Sequence, residues 1–230
     1  MDSFLFNFDI VSNQPRGLMK ELRNSLLLLV TALFACPSSG HAQAYCILRD
    51  PIREIASLYP ETDRLNSIVR TIDKEVYSKM EAKLPAIRLY LSELGRHTLY
   101  VPAKGGVAQG IVHPRSEATK FGLVDVVWSL DKELRIRDFR FQRCRGKARL
   151  ELESEVFKAQ VRGKSFKELR LLLDKEGKAL SAGGIQVKAE ARELAVSVIR
   201  CALKTILITE LAWPNAMQIQ KGKVAEWDNP

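Results

Sequence analysis

The chain has 230 residues, 46% of them hydrophobic and 7% aromatic, and its 36 Lys and Arg against 27 Asp and Glu give a net charge of +9. No stretch reaches the roughly 20 consecutive apolar residues of a membrane-spanning helix, so no such helix is expected. The basic excess is able to attract phosphates or an anionic membrane surface, with a solvated basic face as the competing reading.

From Met19 the segment MKELRNSLLLLVTALFACPSSGHAQAYC reads as an export signal, with Lys20 and Arg23, then an apolar core, then a small-residue cleavage site. Residues 1–18 hold Asp2, Asp9 and scattered Phe, suit no such leader, and are read as an untranslated extension. The apolar core from Leu26 to Ala35 is 10 residues, so it is expected to be removed and not kept as an anchor. Cleavage after Ala42–Gln43–Ala44 leaves Tyr45 first; LFAC at 33–36 is a competing lipoprotein-type box with Cys36 lipidated. The domain is assigned to residues 45–212, with an irregular tail at 213–230. That length suits a single core.

Asp50 and Pro51 open a short helix, IREIASLY, that stops at Pro60. TIDKEVYSKMEAKL is a second helix, with Val76, Met80 and Leu84 on one face, Asp73 and Glu75 in the first turn, and Pro85 at its end. From Thr98 the period changes to two. HTLYVPA, GVAQGIVHP, FGLVDVVWSLD and LRIRDFRFQRCR are strands split by KGG and LDKE, with a bulge or register change expected near Asp138. ELESEVFKAQVRG and SFKELRLLLD are short helical patterns, the second opened by a capping box of Ser165 and Glu168. A long helix from about Val187 to Leu211 carries an apolar stripe and closes over the sheet. The fold class is therefore α+β: an antiparallel β-meander packed with N-terminal helices and a long C-terminal helix.

Three cysteines follow the cleavage site, Cys46, Cys144 and Cys201. Three pairings are possible in an oxidising compartment; Cys144 with Cys201 is preferred because both lie within folded elements. His97 and His113 have no carboxylate or cysteine at ligand spacing, so no metal site is expected. No nucleophile and base are paired by motif, and no catalytic residue is assigned.

FKAQVRGKSFKEL resembles the FxxQFxGK segment of the bacterial FMN-binding domain family, found in the flavin-carrying G subunits of membrane electron-transport complexes. The likeness covers roughly residues 52–207 and extends through LYPETD, the paired strands, and LSAGGIQVKAEARELAVSVIRCALKTI. That family attaches FMN to the threonine of a motif close to SGAT, where this chain has Ser181, Ala182, Gly183 and Gly184. The resemblance thus implies an FMN-binding architecture without the hydroxyl that carries the flavin. A small-residue turn that opens a helix still offers unpaired N–H groups to a phosphate. Lys164, Arg143 and Arg145 are the basic candidates for the same phosphate.

Two functions are open at this stage. One is an exported electron-transfer module that holds FMN noncovalently or not at all. The other is a flavin-free structural or adaptor subunit of a membrane respiratory complex. Both place the chain in the periplasm or at the outer face of the inner membrane, with peripheral membrane association and no nucleic-acid partner.

Overall fold

The computed structural model describes residues 50–214, apart from 121. The chain divides into 1–41 and 42–230, and every described residue belongs to the second unit. The export signal, the LFAC box, Cys46 and the tail beyond Pro214 lie outside the described residues.

Helix α1, Ile52–Leu58, begins behind Pro51 and ends at Tyr59, ahead of Pro60. Its start has no side-chain cap, so Asp50 does not take the role expected of it. Strand β1, Arg64–Ile72, follows and was not expected. It lies at one edge of the sheet and buries only Ile72, so its sequence RLNSIVRTI never needed the alternation that marks a half-buried strand. Helix α2, Lys74–Lys83, takes Asp73 as its N-cap and not in its first turn: the Asp73 carboxylate accepts from the Val76 N–H at 2.9 Å.

The remaining strands are β2 (Gly95–Lys104), β3 (Val107–Ala108), β4 (Ile111–Thr119), β5 (Gly122–Leu130) and β6 (Ile136–Arg143). They form one six-stranded antiparallel meander in the order β1-β2-β4-β5-β6, with β3 paired to β2. Gly105 and Gly106, at φ 57° and 78°, make the tight hairpin after β2, a conformation that requires positive φ at both positions. β4 runs through Pro114, which has no N–H for a ladder. Its register with β2 is the single pair Tyr100↔Val112, whereas its register with β5 runs from Ile111↔Leu130 to Thr119↔Gly122. On β6 the register with β5 skips Arg137 and Gln142, so the irregularity expected near Asp138 is present one residue earlier.

Behind the sheet come α3 (Arg149–Leu152), α4 (Glu155–Val161) and α5 (Phe166–Arg170). The Ser165–Glu168 capping box opens α5 as its sequence indicates. After a 3₁₀ turn at Ala189–Ala191, α6 spans Arg192–Ala212 and stops at Trp213. Residues 185–188 are irregular, so the long helix starts later than its apolar stripe suggested. The stripe itself is buried: Leu194, Ala195, Val198, Cys201, Ala202, Ile206 and Leu207 are each at most 2% exposed.

Alternation sorts the sheet into two faces. Val124, Val126, Trp128 and Leu130 join the large core with α6, and the Trp128 Nε1–H donates to Cys201 Sγ at 3.4 Å. Val112 and Val127 point the other way and pack with Ile55 and Tyr59 of the α1 region. Cys144 and Cys201 are both free thiols, and burial raises the Cys201 thiol to about 12; the preferred disulfide is not formed.

Candidate functional site

Residues 171–184 form a compact backbone structure. Leu173 and Leu180 pair as an isolated bridge, and the Ser181 N–H donates to the Leu172 carbonyl at 2.9 Å. Ser181–Gly184 is then a tight turn closed by the Gly184 N–H to the Ser181 carbonyl at 3.1 Å, with Gly183 at φ 74° supplying the positive φ of a type II turn. The Ser181 hydroxyl donates to the Leu171 carbonyl at 2.7 Å. A β-carbon at 184 would sit 2.8 Å from Ser181 Oγ and 3.2 Å from its carbonyl oxygen. The turn does not open a helix: α6 starts at Arg192 and the Gly184 N–H is already bonded. The helix-terminus phosphate cradle expected at Gly183 and Gly184 is therefore absent from this segment.

The basic candidates are dispersed. Arg143 Nε binds Asp125 Oδ2 at 2.8 Å, and the same carboxylate accepts from the Ser116 hydroxyl at 2.6 Å. Arg145 is exposed in the loop after β6. Lys164 lies beside the opposite end of β6, where its carbonyl accepts from the Ile136 N–H at 3.1 Å. At about 3.3 Å per residue, the length of β6 separates Lys164 from Arg143 by about 20 Å. Arg143 and Lys164 therefore do not meet around one phosphate. Ala182 and Gly183 are exposed.

The densest polar chemistry lies elsewhere, between the sheet and α6. Lys204 on α6 is 0% exposed and its Nζ donates to Glu93 Oε1 and Glu117 Oε2, both at 2.9 Å. Arg115 Nη2 donates to the other Glu93 oxygen, and Arg200 approaches Glu117 Oε1 at 3.4 Å. Glu93, Arg115 and Glu117 are each at most 3% exposed. Buried charges persist only when paired, and here each carboxylate has at least two cationic neighbours. Burial raises the Glu117 carboxyl pKa, an effect that Lys204 opposes.

Two histidines extend this polar layer. Burial lowers His97 to about 4 and His113 well below its ordinary value, so both are neutral near pH 7. The hydroxyl proton of Thr209 goes to the Thr205 carbonyl at 2.7 Å, so Thr209 Oγ1 accepts from His113 Nδ1–H at 2.8 Å. This fixes the His113 tautomer and leaves Nε2 as a buried lone pair without a protein partner. Ser116 and Asp125 lie on the opposite face of the sheet from His113, so neighbouring positions in HPRSE do not become a nucleophile and base. Among the described residues, no group of three or more His, Cys, Asp and Glu is placed to hold a metal ion.

The sequence reading missed this network, although it left a trace. From Cys201 to Leu211 the helix reads CALKTILITEL, apolar on nearly all sides, with one lysine in its middle. A helix apolar all round is buried, and a lysine inside it must find carboxylates. Among the described residues no helix is long and apolar enough to cross a membrane. No protein-family model matches the chain, and no curated protein matches its sequence.

Proposed function

We propose that this chain is an exported, non-catalytic module built on the architecture of the FMN-binding domains, one that carries no covalent flavin. In this reading it acts as a structural or adaptor component beside a membrane electron-transport complex. The observation that carries it is the closed turn at Ser181–Gly184. The residue at the flavin-bearing position has no hydroxyl, its N–H is bonded to Ser181, and the Ser181 hydroxyl is held by Leu171. A phosphoester has no oxygen to form on at 184, and a phosphate finds no free cluster of N–H groups there.

The test is to produce the full chain together with a flavin transferase, purify it, denature it, and measure flavin fluorescence and intact mass. The expected result is a protein with no retained flavin and no flavin mass. A flavin that stays attached after denaturation sinks the proposal. Flavin bound before denaturation and released by it moves the assignment to a noncovalent electron-transfer module, with the cofactor supplying the redox chemistry. The mass of the mature N-terminus tests export: Tyr45 first, or a lipidated Cys36, supports it, and an uncleaved chain in the cytoplasm opposes it.

A further inference from the structure

We propose that the cleft between the end of α1 and the start of β6 is a binding site for a small organic anion, a carboxylate or phosphate ester held by Arg137 and Arg162. The cleft has a volume of about 420 Å³ and is lined by Leu58, Ser129, Asp131, Ile136, Arg137, Asp138, Arg162 and Gly163. That volume lies within the range of sites for small organic ligands and far exceeds the needs of a bare inorganic ion.

The walls are fixed by backbone bonds. The Gly163 N–H donates to the Ile136 carbonyl at 2.7 Å and the Ile136 N–H to the Lys164 carbonyl at 3.1 Å, so the RGK segment is laced to β6. Arg162 Nε donates to the Arg137 carbonyl at 3.1 Å. Arg137 is one of the two residues skipped in the β5–β6 register, and such a bulge re-aims its side chain. Leu134 just before it holds φ 56°, a conformation that non-glycine residues adopt at a cost.

The lining holds two Asp against two Arg, so the case for an anion rests on which of these groups are already engaged. Asp138 Oδ1 is occupied by Lys158 Nζ and by the Phe139 N–H, both at 2.7 Å. Asp131 Oδ1 accepts from the Glu133 and Arg135 N–H groups at 3.0 and 2.8 Å, closing the β5–β6 turn. The guanidiniums are less committed. Arg137 Nη1 donates to the neutral Gln109 carbonyl and the group lies over the Tyr59 ring, 5.2 Å from its centroid. Arg162 Nη2 meets Glu155, but these side chains are 44% and 74% exposed, where an ion pair is weak. Two planar donors with donor capacity to spare suit a carboxylate or phosphate. Leu58 supplies an apolar wall for the organic part of the ligand.

The site is independent of the flavin reading. The experiment titrates the full chain with phenyl phosphate, phenylacetate and inorganic phosphate by calorimetry, with backbone amide shifts followed by NMR. Saturable binding of either organic anion is expected, with weaker binding of inorganic phosphate. Arg137→Gln and Arg162→Gln should each weaken binding by about tenfold, the loss expected for one charged hydrogen bond. Absence of saturable binding by both organic anions, or unchanged affinity in the double variant, overturns the proposal, as does equal affinity for inorganic phosphate. If the variants fail to fold, amide shifts in the unaltered chain decide. Shifts centred on Ser129, Asp131 and Gly163 support the site, and shifts centred elsewhere overturn it.

Discussion

The Ser181–Gly184 turn and the layer beneath α6 satisfy their polar groups in opposite ways. The turn uses short backbone bonds at a partly exposed site, where water replaces any bond that is lost. The layer places Glu93, Arg115, Glu117 and Lys204 in a region closed to water, where nothing replaces a lost partner. The first is tolerant and local; the second ties three distant segments of the chain to one arrangement of α6 on the sheet. The place with the clearest sequence signature is thus the less costly one to alter.

The largest expected effect follows from that contrast. Lys204→Met leaves Glu93 and Glu117 facing each other without their shared ammonium, and urea denaturation should show a loss of about 3–5 kcal/mol. Adding Glu117→Gln should return part of it, because one buried charge is then removed. By comparison, Ser181→Ala removes one hydrogen bond near the surface and should cost about 1 kcal/mol. Equal losses at the two sites would break the comparison.

Acid should act on the buried layer and spare the turn. His97 falls from 6.5 to about 4 on folding, and His113 is also lowered, by complete burial. A folded pKa below the unfolded one means that the unfolded chain binds more protons between about pH 6.5 and 4, so stability falls as pH drops through that window. For His97 alone the loss between pH 7 and pH 5 is about 2 kcal/mol, and His113 acts in the same direction. Glu117 has the opposite sign, because its raised folded pKa destabilises the folded state only once pH exceeds its ordinary value of 4.5. Between about pH 5 and 6.5 Glu117 therefore opposes the histidines, and only comparison with a histidine variant separates the two contributions. His97→Gln should flatten the pH dependence of the urea midpoint, and an unchanged slope would remove His97 from this account.

On the α1 face the expected effect is smaller. A β-carbon at Gly110 would overlap the Tyr59 hydroxyl, which sits 2.6 Å from Ser129 Oγ. Gly110→Ala should push Tyr59 away from Ser129 and cost about 1–3 kcal/mol, the usual penalty of overpacking. Tyr59→Phe in the same background should recover much of the loss; failure to do so would place the strain elsewhere.

How much of this was legible depended on what each residue had to satisfy. The strands that face both cores alternate or run apolar, and α6 carries a full stripe, so the meander and its covering helix were readable. β1 was not, because an edge strand with one buried residue is under no pressure to alternate. The start of α6 was misplaced because Val187 packs against the core without being helical, so hydrophobicity alone extended the pattern backwards. Arg143 and Lys164 look alike as basic residues near a motif, and only the path of β6 reveals that they lie at its opposite ends. The Glu93–Arg115–Glu117–Lys204 network joins residues as much as 111 positions apart, beyond the reach of any local pattern.

An effect as small as that of Ser181→Ala is expected at Gly184 and separates chemistry from geometry. Gly184→Thr supplies a hydroxyl but places its β-carbon 2.8 Å from Ser181 Oγ, which is held by its bond to the Leu171 carbonyl. The φ of Gly184 is outside the left-handed region, so crowding and not backbone conformation is the obstacle. The single variant should lose about 1 kcal/mol, close to one hydrogen bond. Ser181→Ala removes the crowding atom, so the two losses should not add, and a double-mutant cycle should give a coupling of at least about 0.5 kcal/mol. Produced with the transferase, Gly184→Thr/Ser181→Ala then asks whether a hydroxyl at 184 is enough for flavin attachment. A flavin mass on the double variant would show that the transferase accepts this turn and would support the proposed relation to the FMN-binding domains. A stable, unmodified double variant would mean that a hydroxyl at 184 is not enough for the transferase, in keeping with a helix that starts only at Arg192.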